Sequence, residues 1–386
     1  MAESRRHATV IGWGTYAPEH VVTNADLAAT LDTSDEWIRS RTGIERRHVA
    51  AGEATAAMAI EAARAALRVA DADPYQIGLV LVATMTPDYP SPSTACLVQH
   101  ALGAAHAGAV DLNAGCSGFC YALALANAAI LSGEHDMVLV IGADTMSSIV
   151  DKEDRATAVL FGDGAGALLL GATNGPAGVL ATWLGADGSG AEMLIVPAGG
   201  SALPASAETV ARRQHYLTMD GNQVFRFAVR MLPRAVEQVL GRVNLPLSEV
   251  DWIIPHQANR RIIEAAAQKL EIPSERFYLN LQEYGNTSAA SIPLAIGDAV
   301  ADGSLLPGQH VVLVGFGAGL TWGAVLLRWG TGLGTGRTTA YRYLWRWLLY
   351  RWAAVQTLGR RLAARVRGWR LRRPRPDDPS GGGQRH

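Results

Sequence analysis

Apolar positions recur along the first 330 residues in two alternating rhythms. Short apolar runs of four to six residues lie at 78–83 (GLVLVA), 108–112, 137–141, 251–254 and 310–314, the length and makeup of buried strands. Between them run longer stretches at 55–70, 117–132, 223–243, 260–270 and 288–301, where apolar residues fall three and four apart. That spacing predicts helices. Strands and helices in turn predict an α/β fold of helices layered on buried sheet.

The pattern also repeats. GDGAG at 162–166 returns as GFGAG at 315–319. LVLVATMTP at 79–87 has a counterpart in DWIIPHQA at 251–258, and DLNAGCSGFCYALAL at 111–125 parallels YLNLQEYGNTSAASIPLAI at 278–296. The three pairs keep their order at spacings of about 150 to 170 residues, which predicts two related halves, 1–175 and 176–330.

Composition changes the picture at the C-terminus. The 386 residues carry a formal net charge of −1, with 49 % apolar and 18 % charged residues, so most of the chain is expected to fold. Residues 331–386 hold 13 arginines and two acids, a net +11, and the 21 basic and 33 acidic residues before them make −12. An acidic body is a poor partner for nucleic acid. In the tail, TGLGTGR (331–337) reads as a flexible linker. Leu344, Leu348, Trp352, Val355, Leu362, Val366 and Trp369 follow at near-helical steps with arginines interspersed. A basic amphipathic helix rich in tryptophan suits a membrane surface or an acidic protein; an extension without function is the alternative. Three cysteines make no disulfide scaffold. No apolar run reaches the ~20 residues of a membrane span, and the first residues lack a signal peptide's apolar core, so a cytoplasmic protein is expected.

Four segments carry candidate chemistry. In DLNAGCSGF, a strand turns through small residues at Cys116 into an apolar helix. The helix N-terminus there is expected to favour the thiolate and to leave the Cys116 amide free for an oxyanion. A buried, inert thiol is the competing reading, and it suits Cys96 and Cys120. In IIPHQAN, His256 follows a strand and a proline, the place of a site residue rather than a packing one. In YGNTSAAS, Asn286 stands where the first half has its cysteine; a helix N-cap competes. GFGAGLTWG lacks the spacing of a phosphate loop and reads as a turn that aims amides at an oxyanion.

Together with TSDEWIRSRTGI (33–44), FGDGAGA (161–167) and GNQVFRFAV (221–229), these motifs resemble β-ketoacyl-acyl-carrier-protein synthase III of the thiolase superfamily, over residues 8–330. The resemblance implies a thiolase-like fold of two pseudo-duplicated halves in α-β-α-β-α layers. It implies a homodimer that works without cofactor or metal. The implied reaction is a decarboxylative Claisen condensation. Cys116 takes an acyl group from acyl-CoA, malonyl-acyl-carrier protein loses carbon dioxide, and its enolate attacks the acyl-cysteine. His256 and Asn286 would hydrogen-bond the enolate oxygen, and the amides of Cys116 and Ala318 would form the oxyanion hole. Trp37, Arg41, Arg155 and Asn259 map to CoA contacts, although core packing competes for Trp37. Arg226, Arg261 and Lys269 map to a basic patch for the carrier protein. Ser91 stands where acetyl-selective relatives have a bulky aromatic, which implies a longer acyl channel. An acyltransferase on the same fold, acting on a hydroxyl or amine, and a non-catalytic partner subunit are the alternatives.

Overall fold

Two sheets, each with one apolar face toward the centre of the protein and another toward an outer helix layer, account for both rhythms of the sequence. The computed structural model describes residues 6–330; the basic tail expected from the sequence lies outside them. The first sheet contains β1 (His7–Tyr16), β2 (Leu79–Ala83), β3 (Gly108–Leu112), β4 (Met137–Asp144) and β5 (Gly164–Thr173), in the order β1-β5-β4-β2-β3. The second contains β6 (Gly178–Ala186), β7 (Trp252–Pro255), β8 (His310–Gly317) and β9 (Thr321–Arg328), in the order β6-β9-β8-β7.

The sheets share one topology. In the first, β1–β5 and β5–β4 are antiparallel and β4–β2 parallel; in the second, β6–β9 and β9–β8 are antiparallel and β8–β7 parallel. Where the first sheet adds β3, the second has only a parallel bridge between Ile253 and Phe277.

The strands read as continuous apolar runs because both faces are covered. Val138 and Val140 of β4, with Val311 and Leu313 of β8, meet a central helix pair, α4 (Gly118–Leu131) and α7 (Ser291–Ala301). Leu139 and Ile141 face the other way onto α2 (Thr55–Ala70), beside α3 (Thr94–Leu102). Val312 and Val314 face α5 (Gly221–Gly241) and α6 (Arg260–Leu270). The result is five layers, helix–sheet–helix–sheet–helix. Burial of each large apolar side chain in them contributes ~1.5–3 kcal/mol. The helix α1 (Asp35–Thr42), capped by Ser34 and ended by Gly43 in the left-handed region, carries Trp37 and Arg41 on the surface. Among the described residues, no helix is long and apolar enough to cross a membrane.

Candidate active site

The nucleophile sits on a tight turn between β3 and α4. Gly115 has φ +51°, and a Cβ built on it would lie 2.9 Å from the Ala318 amide nitrogen, so only glycine lets the two segments touch there. Gly317 lies as close to the Cys116 backbone on the other side. The Cys116 and Ala318 amides are thereby brought to one place. Ala318 keeps out of the positive-φ region, as a residue with a Cβ should. Thr321 Oγ1 lies 2.8 Å from both Ala114 O and Ala318 O, within donating reach of either, and ties the two turns together.

Cys116 is 4 % exposed. Burial pushes its thiol up to about 12, with the Asp144 carboxylate adding to the rise and the Ser288 hydroxyl opposing it. This corrects the expectation of a thiolate stabilised at rest: desolvation outweighs the hydrogen bonds at the turn, and Cys116 waits as a protonated thiol. Cys120 is a fully buried thiol inside α4, and Cys96 is exposed.

His256 leaves the C-terminal end of β7, where its amide donates to Val314 O at 2.7 Å. Its ring is buried, and burial lowers its pKa to about 3, so the imidazole is neutral near pH 7. Nδ1 lies 2.7 Å from Ser291 Oγ, whose hydroxyl proton is already donated to Ser288 O at 2.8 Å. Ser291 therefore accepts from Nδ1–H, and Nε2 keeps its lone pair. Phe316 packs edge-on against the ring at 5.3 Å.

Asn286 follows Gly285, which has φ +65°. Its backbone is pinned by bonds to Leu160 O (2.8 Å) and from Gly162 N (3.0 Å). Its side-chain oxygen accepts from Ser288 N at 2.9 Å, which leaves the amide NH2 to the cavity. Asn286 does not cap α7, whose N-cap is Ala290. Ser288 and Ser291 were legible only as small residues in YGNTSAAS; the bonds that give them importance join distant segments.

Cys116, His256 and Asn286 line one cavity of about 90 Å³. Its walls are apolar, with Phe161, Leu194, Met219, Ile262 and Leu320 among them, and Asn259 lines it as well. Asn259 caps α6 through Arg261 N and donates to Arg41 O at 3.1 Å, so the cavity wall runs into the surface that carries α1. On that surface Trp37 is 37 % exposed, against a core role, with the Arg155 guanidinium 5.1 Å over its ring. Arg226 on α5 and Arg261 and Lys269 on α6 are exposed on two helices packed together. Ser91 is exposed and is not among the residues lining this cavity. In one protomer the structure therefore does not join it to Cys116.

Two family models match, one described as 3-oxoacyl-[acyl-carrier-protein (ACP)] synthase III over residues 110–188, the other as the C terminal of the same synthase over 240–329. The chain is 48 % identical over 323 residues to the beta-ketoacyl-[acyl-carrier-protein] synthase III of Caldanaerobacter subterraneus, covering 83 % of this chain and 98 % of that relative. The chain belongs to the β-ketoacyl-acyl-carrier-protein synthase III family. A second synthase III, from Symbiobacterium thermophilum, is 49 % identical over 84 % of this chain and 99 % of its own. The crystal structure of the 3-oxoacyl-[acyl-carrier-protein] synthase III from Aquifex aeolicus superposes with a TM-score of 0.78 at 46 % identity, covering 83 % of this chain and all of that one. The five layers are thus the thiolase-like fold of the synthase III family. One matched segment carries Cys116 and the other carries His256, Asn286 and Ala318; the second ends just before the basic tail.

Proposed function

We propose that the protein is a synthase III that condenses an acyl-CoA primer with malonyl-acyl-carrier protein through an acyl group on Cys116. The convergence of a thiol, a neutral imidazole with a free Nε2 lone pair and a carboxamide whose NH2 faces inward on one narrow apolar cavity carries this reading. In the first half-reaction, Nε2 of His256 takes the Cys116 proton as sulfur attacks the thioester. The amides of Cys116 and Ala318 hold the oxyanion. The thioester C–S bond breaks, and CoA leaves as a thiol with the proton returned from His256.

In the second half-reaction, malonyl-carrier protein loses carbon dioxide, and the electron pair becomes an enolate. The Asn286 NH2 donates to the enolate oxygen. With Nδ1–H committed to Ser291, Nε2 donates only after taking up a proton, which the incoming carboxylate favours. The enolate carbon then attacks the acyl-cysteine. The expelled thiolate takes the His256 proton, which closes the cycle with one proton consumed. A hydrolase would need water at the acyl group, and the apolar walls oppose it.

Exposure of Trp37 and its stacking with Arg155 support adenine binding at the mouth, with Arg41 for phosphate and Asn259 along the arm. Exposed Arg226, Arg261 and Lys269 support docking of the acidic carrier protein. After mixing with a panel of acyl-CoAs, intact-mass and peptide mapping are expected to find one acyl adduct, on Cys116. Labelling of Cys96 or Cys120 instead, or no adduct, contradicts the reading.

A homodimer across β3 is part of the proposal. β3 is an edge strand, Val110 on it is 48 % exposed, and such an edge pairs readily with a second copy. Asp111 of the same strand accepts from Thr94 N and Ala95 N, so the segment after Ser91 is tied to that edge. Ser91 accordingly borders an acyl channel only in the dimer, where a small residue leaves room for primers longer than acetyl. Val110→Asp is expected to yield monomers in light scattering at concentrations where the parent chain is dimeric; a dimer unaffected by it places the interface elsewhere. The +11 tail is proposed to bind anionic membrane, at about 1 kcal/mol per arginine near the surface. Salt-insensitive or absent cosedimentation of the full chain with anionic vesicles contradicts that.

A further inference from the structure

We propose that Asp144 is a positioning residue for both enolate donors: its carboxylate anchors the backbone segment from which Asn286 and His256 are oriented. The inference rests on the condensing reading of the site. Asp144 ends β4 and is fully buried. Its hydrogen-bond partners among the described residues are neutral N–H and O–H groups. Oδ1 accepts from Met85 N at 2.8 Å, Thr84 Oγ1 at 3.0 Å and Thr86 Oγ1 at 3.1 Å, all in the turn after β2. Oδ2 accepts from Ala289 N at 3.1 Å. One carboxylate thus ties a turn of the first half to the elbow of the second.

The Ala289 bond is the informative one. The preceding residue, Ser288, is buried and held at φ +51°, a conformation a serine adopts only when its surroundings impose it. Ser288 N–H fixes the Asn286 oxygen at 2.9 Å, and Ser288 O accepts from Ser291, the partner of His256 Nδ1. Orientation of the Asn286 amide and the proton on Nδ1 therefore both depend on where Ser288 lies. Nothing in the proposed chemistry otherwise calls for a buried carboxylate there. Its negative charge disfavours the Cys116 thiolate, so it does not serve to activate the nucleophile, and its bonds to both halves fit an anchor.

Asp144→Asn tests this selectively. A carboxamide accepts on one side only. Met85 N, Thr84 Oγ1 and Thr86 Oγ1 all reach Oδ1, and the Ser288 hydroxyl that also bonds the carboxylate can turn to accept, so the amide oxygen takes the Oδ1 place and NH2 confronts Ala289 N–H. The elbow loses its anchor while the first-half turn keeps its own. Carbon dioxide release from labelled malonyl-carrier protein is expected to fall about tenfold or more, since small misplacements of donors cost rate steeply. Acyl-enzyme formation should fall severalfold less than that, because only its base, His256, is disturbed while its oxyanion amides lie on other segments. If Asp144→Asn does not fold, the double variant Thr84→Val, Thr86→Val weakens the same carboxylate from its other side and should give the same imbalance at smaller size. Equal loss in both half-reactions, or none in either, overturns the proposal while leaving the condensing reading intact. No carbon dioxide release by the wild-type protein overturns the reading and the proposal with it.

Discussion

Asn286→Ala is expected to lower carbon dioxide release from malonyl-carrier protein by ~10²–10³-fold, the usual cost of one oxyanion donor. Acylation of Cys116 should change little. The asymmetry follows from where negative charge develops. Acylation builds charge beside the Cys116 and Ala318 amides, and decarboxylation builds it at the oxygen facing the Asn286 NH2. The side chain is held for this task, because its own oxygen is occupied by Ser288 N. His256→Ala should behave differently and slow both half-reactions, since Nε2 is the base in the first and a donor in the second. The pH dependences should differ as well. Burial holds the His256 pKa near 3, so the base is neutral across the range from about pH 5 to 8 and acylation should be nearly flat there. Donation from Nε2 needs an added proton, so carbon dioxide release should decline as pH rises. Rapid-quench measurement of the two half-reactions distinguishes these patterns; equal loss in both for Asn286→Ala contradicts the assigned roles.

Gly317→Ala is expected to lower the rate of acyl-enzyme formation by about 10²-fold. A Cβ there would lie 2.7 Å from Cys116 N and 2.9 Å from Cys116 Cβ, closer than real Cβ contacts, and the neighbour is backbone. Relief requires the turn bearing Ala318 to move off the turn bearing Cys116, which separates the two oxyanion amides. Global stability should suffer less, with an overpacking cost of ~1–3 kcal/mol, because the strand continues to pair with β9. Melting temperature and single-turnover acylation, measured on the same sample, separate the two effects. A variant with normal acylation would mean that the paired amides do not form the oxyanion site.

Much of this is legible in the sequence. The run at 108–112 and the helical spacings at 55–70 and 260–270 give elements with the same bounds, because the run is short and bounded by turn residues and the helices have one clear apolar stripe. The helices read from 117 and 288 begin three residues or less further on, after short 3₁₀ turns, because these elbows aim Cys116 and Asn286 before the regular helix starts. The meeting of Cys116, His256, Asn286 and Ala318 follows from motifs at equivalent strand ends of two similar sheets. Three features were hidden for physical reasons. The protonation of Cys116 depends on burial, which local sequence does not display. The part played by Asp144 depends on a bond to Ala289, 145 residues away. Ser91 lies outside the cavity that holds Cys116, so the channel proposed for it rests on a second copy of the chain, which one chain's sequence does not specify.

The most direct test of the central claim compares Cys116→Ala with Asn286→Ala, given labelled malonyl-carrier protein and no acyl-CoA. If the acyl-carrying thiol and the enolate donors are separate devices sharing one cavity, Cys116→Ala forms no condensation product yet still releases carbon dioxide, and Asn286→Ala releases almost none. A Cys116→Ala protein that releases none, beside an Asn286→Ala protein that keeps the wild-type rate, would contradict the account.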